Sequence, residues 1–253
     1  VLADSPVVLR DMIVDCENIM TGYGIHLEDP SVPGAITWRL ENMEVRNIGS
    51  PSLTTTRSVF CEERLGRFEL INTKIRGSGR YAWNMQSDAF ANNGNSTLYV
   101  NQFDFGTWTT SGVVTDWMNI ERGSATYTAS ATIIGVTGQL DCTSQTGLLT
   151  GIHIQGVDDS IISDSDFTLN IISGGSNEAK VISVAGTSTV SADDCQILRN
   201  RVLTNSPAGH AIQFGNSTNN SYMSGGRYAG NYAEDTGGAS IHGQSLGMST
   251  TAE

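Results

Sequence analysis

The chain has 253 residues, a net charge of −12 and only 16% charged residues, with 28 glycines, five prolines and abundant Ser, Thr and Asn. An acidic chain is a poor partner for nucleic acid, whose phosphates call for clustered Lys and Arg, and no apolar run approaches the roughly 18 residues that cross a bilayer. The composition is too apolar for disorder and suits short strands joined by turns.

In chain order, six segments follow the pattern apolar, any, Asn/Asp, any, any, apolar, imperfectly where Gln102 stands at the third position: Leu9–Val14, Leu40–Val45, Leu70–Ile75, Val100–Phe105, Ile162–Phe167 and Leu198–Leu203. Ala129–Ile134 and Tyr228–Ala233 are weaker copies, and successive first residues are 31, 30, 30, 29, 33, 36 and 30 apart. A fixed period of this size means stacked supersecondary units. A second run that alternates apolar and polar residues follows most copies: Gly24–Asp29, Ser58–Glu63, Ala82–Ser87, Gly151–Gln155, Lys180–Val184, Ala211–Phe214 and Ala239–His242. Alternation of this kind marks a strand buried on one face. Turn formers lie between the runs, as in Arg76–Gly79, Ser173–Gly175, Asn205–Gly209 and Thr236–Gly238. Nothing has a helical period.

Strand, turn, strand, loop every thirty residues predicts an all-β fold, a single-stranded parallel β-helix of about eight coils. A β-propeller is the main alternative, although its blades need about four strands in roughly 40–50 residues. Equivalent strands would stack about 4.8 Å apart. Residues 1–253 are expected to form one domain. Val1 and Glu253 abut the first and last copies without a polar cap, so a piece of a longer protein is expected.

The column Asp11, Asn42, Asn72, Gln102, Asp164, Asn200 resembles the asparagine ladder of right-handed parallel β-helices of the pectate-lyase-like superfamily. Within that superfamily the irregular coil lengths and the Ser/Thr/Asn/Gly content look most like a bacteriophage tailspike or tail-fibre domain. The resemblance implies a homotrimer on a virion tail that binds a bacterial surface polysaccharide, with outward apolar residues such as Phe60 at subunit contacts. A secreted or cell-surface bacterial protein is the alternative location. The chain departs from the enzymes of the superfamily: the pectate-lyase Asp cluster with its Arg-Pro-Lys stretch is absent, and Asp158-Asp159 lacks the companions found in polygalacturonases.

Glycoside hydrolysis uses two carboxylates, at spacings that adjacent or next-but-one coils supply. The densest acidic group is Glu28, Asp29, Glu62 and Glu63, with Asp88 one coil further, and Arg39 and Arg64 nearby as neutralising partners. Glu28 and Glu62 are the expected acid and nucleophile or base, with Glu63 or Asp88 as substitutes. His26, Asn84 and Gln86 are candidates for binding sugar, as are Trp108 and Trp117, whose ring faces would stack on it if exposed. A non-catalytic receptor-binding or shaft module is the second reading. A lyase or epimerase is the third, although Lys74 and Lys180 are the only lysines that could serve as its base. Asp158, Asp159, Asp164 and Asp166 suit turn capping more than calcium. Cys16, Cys61, Cys142 and Cys195 have no CxxC spacing, and no metal or cofactor is expected.

Overall fold

In the computed structural model the described residues are 7–17, 25–28, 37–48, 60–63, 67–78, 83–85, 96–112, 116–122, 126, 128–173, 178–187, 190–207, 209–215, 225–237 and 240–242. Every regular element among them is a strand, and every pairing is parallel. A thirteen-stranded sheet and an eight-stranded sheet face one another, and each coil contributes to both. The molecule is a parallel β-solenoid.

Buried apolar side chains run from Leu40 to Ile212, about five turns of tightly packed solenoid rather than the eight expected. Short strands continue the stack at either end, where Leu9, Val14, Ile25, Tyr228 and Ala233 are only partly buried. Each core side chain of Leu or Ile size contributes roughly 1.5–3 kcal/mol on burial.

The register through the first sheet runs Leu9, Leu40, Leu70, Val100, Ile133, Ile162, Ile197, Tyr228. Two copies therefore shift from the sequence alignment, to Ile133 from Ala129 and to Ile197 from Leu198. Two residues further on, the chain turns a corner with left-handed backbone at Asp11, Asn42, Asn72, Gln102, Gly135, Asp164, Arg199 and Gly230. Asn, Asp and Gly tolerate this conformation best, and that tolerance is the physical origin of the repeated Asn/Asp.

The ladder is consequently outside. Asn72 Nδ2 donates to Asn42 Oδ1 at 2.8 Å, and Asn42 Nδ2 to Asp11 Oδ1 at 2.9 Å, and all three are exposed. Higher in the same column Arg199 makes two 2.8 Å bonds to Asp164. A second, inner ladder stands one position along. The side chain of Asn200, 2% exposed, donates to Ile162 O at 2.9 Å and accepts from Ser165 N at 3.1 Å.

Trp108 and Trp117 belong to this interior. Both are fully buried, in a cluster with Phe103, Phe105 and Phe167 whose closest ring centroids, Phe105 and Trp117, are 4.1 Å apart. Trp108 sits in a continuous strand, Ser96–Gly112, and not in an exposed turn. Neither ring offers a face to sugar, which corrects the expectation that they bind it.

Candidate functional site: a polar stripe on the second sheet

The strands of the second sheet break strict alternation at one shared point. Trp117 and Met118 are both core residues, as are Val181 with Ile182 and Ala211 with Ile212. The pairing skips Trp117, Gly151, Val181 and Ala211, and resumes at the next residue. An irregularity of this kind bends a strand and re-aims its side chains. Two neighbours face inward there, so the polar residues on either side face away from the core.

Two outward columns result. One runs Asp116, Thr150, Lys180, His210. The other runs Asn119, His153, Ser183, Gln213, and by backbone register Asn84, Cys61 and His26 pair in line with it. His26 and Asn84, expected to bind sugar, therefore share a column with Asn119 and His153.

The stripe is sheltered although it faces away from the core. Asn119 is 4% exposed, Thr150 1%, Lys180 8%, Ser183 4% and Gln213 7%. Lys180 Nζ lies 3.2 Å from Glu178 Oε1. His153 Nδ1 lies 3.1 Å from Asp116 Oδ1, close enough for an ion pair when the imidazole is protonated but misaligned for a hydrogen bond. Asn119 Oδ1 and His210 Nδ1 are also buried without a hydrogen-bond partner among the described residues. A buried polar atom left unsatisfied costs about 1–3 kcal/mol, so three in one stripe form a cluster of unmet bonding capacity.

The register revises the carboxylate pair. Glu28 pairs with Glu63, while Glu62 pairs with Leu27. Glu63 thus stands opposite Glu28, and Glu62 is one step out of phase. Two positions beyond Asn119 comes Glu121, paired with Gln155, so Glu28, Glu63 and Glu121 share a phase. Asp88, Gln86, Asp29 and Arg64 lie outside the described residues. Phe60 pairs with Ile25 and Trp83, and Trp83 with Met118. Arg39 is engaged elsewhere, with Glu41 at 3.1 Å and Glu69 at 3.4 Å.

Asp158 opens a strand, Asp158–Ser163, and is not in a turn. Asp158 is bonded to Arg122 and accepts from Asp193 N at 3.1 Å, while Asp166 pairs with Arg201 at 2.9 Å. Among the described residues no group of three His, Cys, Asp or Glu is placed to hold a metal.

The sequence reading missed Asp116, Asn119, Glu121 and His210, and named Lys180 only as a possible lyase base. The adjacent apolar pair Trp117-Met118 breaks the alternation that would have marked Asp116–Glu121 as a strand. No family model, curated protein or solved structure matches the chain.

Proposed function

We propose that the protein binds an extended bacterial surface polysaccharide along the outer stripe of its second sheet, as a tailspike-like module of a virion tail acting as a homotrimer. The observation that carries this reading is the run Asn119, His153, Ser183, Gln213, one polar side chain per coil. Rungs about 4.8 Å apart offer a repeating ligand a repeating set of hydrogen-bond partners. Amides, imidazoles and hydroxyls both donate and accept, which suits sugar hydroxyls. The acidic surface and the tailspike-like composition support the same reading.

A second reading adds cleavage and rests on the pairing of Glu28 with Glu63. Positions paired across adjacent strands stand about 4.8 Å apart, and retaining hydrolysis uses two carboxyl groups roughly 5 Å apart. The test for both is incubation with purified capsules and lipopolysaccharide O-chains, read by binding and by mass spectrometry of the products. New saturated reducing ends lost in Glu63→Gln and Glu28→Gln mean hydrolysis. Unsaturated ends mean a lyase, and binding without cleavage means a receptor module. No binding to any polymer ends the polysaccharide reading.

A further inference from the structure

We infer that copies of this chain pack side by side through the outer face of the first sheet, before its corner. The copies stand parallel and level, around an axis that runs along the solenoid. This rests on the homotrimeric reading above and names the face on which the trimer closes.

The outward positions of the two sheets differ in kind. On the second sheet they read Asn119, His153, Ser183, Gln213. On the first, one outward column carries Ile71, Ile134 and Leu198, and the column beside it carries Tyr99 and Ile161. All of these apolar residues are half-buried and alternate with core residues such as Val100, Ile133 and Ile197. From Glu69 to Leu198 the two columns hold a single charged residue, Glu69, which is 8% exposed and held by Arg39 and Arg67. Parallel sheets are covered on both faces, and the centre of a protein interface is depleted of charge.

Spacing and charge point to a second copy as the cover. The rungs of this face rise about 4.8 Å per coil, and another copy of the same solenoid meets every rung because it has the same rise. In a ring of level, parallel copies, one column of each copy meets the other column of its neighbour at the same coil. The coil that is charged in both columns then sets Arg39 against Glu41 of the next copy, opposite signs on side chains 38% and 30% exposed. Full antiparallel overlap instead brings Arg10 of the first strand against Arg227 near the other end, like charges that oppose contact. An open hollow of about 550 Å³ surrounds Arg39 and Glu41, with Val8, 43% exposed, on its wall, and leaves room there for a neighbour's side chains.

Sedimentation velocity and light scattering on the full chain measure the mass of the native species, which is expected to be about three times the 27.0 kDa of one chain. Ile134→Glu and Leu198→Glu, each on the outward side of its strand, are expected to sediment as monomers with the β-sheet circular dichroism of the wild type. Two positions guard against a folding defect in either. Orientation is read by mixing single-cysteine variants under mild oxidation, with the wild type as the control for its native cysteines. Val8→Cys with Arg10→Cys should form a disulfide between chains, and Val8→Cys with Ala229→Cys should not. Absence of the first crosslink, or appearance of the second, overturns the parallel arrangement. A trimer that survives both glutamate substitutions overturns the face but leaves the trimer. A monomeric wild type overturns the homotrimeric reading itself, while the polysaccharide panel is read independently of either result.

Discussion

Asn231 Oδ1 accepts two bonds from Asn200, from its backbone N–H at 2.9 Å and from its side-chain amide at 3.0 Å. Asn231 in turn donates to Ile197 O at 2.7 Å. This pair ties two coils together inside the wall of the solenoid, where water is scarce. Removing one amide leaves Ser165 N and Ile162 O unpaired in the interior. Asn200→Ala should therefore cost about 1–3 kcal/mol in a denaturant melt. Asn72→Gly, on the exposed outer ladder, should stay within about 1 kcal/mol, because glycine adopts the left-handed corner freely. Equal costs for the two would mean that the inner ladder carries no special weight.

The close approach of Phe167 to Gly151 gives a second prediction. A Cβ on Gly151 would collide with that ring and come within 2.5 Å of Val181 O. Neither backbone nor packed aromatic can move cheaply, so Gly151→Ala should destabilise by roughly 1–3 kcal/mol. Trp117→Ala, which empties the centre of the same cluster, should cost about 3–5 kcal/mol. Thermal unfolding of both variants checks the ranking, and a neutral Gly151→Ala would contradict the packing.

Acid stability should carry the mark of Asp104. Desolvation pushes its carboxyl up, but the Gly106 N–H at 2.9 Å and the Arg76 guanidinium at 2.6 Å outweigh that and hold it below the usual range. A depressed carboxylate stabilises the fold above its unfolded pKa of about 3.9 and loses that contribution as pH falls through the lowered value. The difference in melting temperature between wild type and Asp104→Asn should be constant above about pH 5 and shrink below about pH 4. A gap that does not vary with pH would contradict this.

Burial pushes the Cys195 thiol up to about 11, and its Sγ donates to Val157 O at 3.2 Å. The reactive species is the thiolate, so Cys195 should resist alkylation at pH 8 until the chain unfolds. Mass spectrometry after native iodoacetamide treatment should find Cys16, half-buried, modified before Cys195. Rapid labelling of native Cys195 would contradict its burial.

The period was legible because the corner demands one conformation at every coil. Asn42 and Asn72 are there because they tolerate positive φ, and their spacing transmits that demand to the sequence. Gly135 and Arg199 meet the same demand with different residues. A pattern of letters therefore drifted to Ala131 and Asn200. The site was far less legible. Pairing Glu28 with Glu62 followed from equal counting within each strand, whereas the actual register depends on how each coil closes. Trp108 was expected to stack on sugar if exposed, but the run from Gly106 to Thr110 continues a strand that buries its ring. Asp116 and Asn119 were hidden by the bend at Trp117, which alternation rules do not anticipate.

The central claim is that the second sheet, not the first, carries the ligand. Asn119 and Asn101 are outward asparagines on the two sheets, so one substitution can be compared in both places. The decisive measurement is the affinity of Asn119→Leu and Asn101→Leu for a polysaccharide that binds the wild type, with melting temperatures as the folding control. Asn119→Leu is expected to lose at least tenfold in affinity and Asn101→Leu to bind as the wild type does. Equal losses, or a loss confined to Asn101→Leu, would contradict the account.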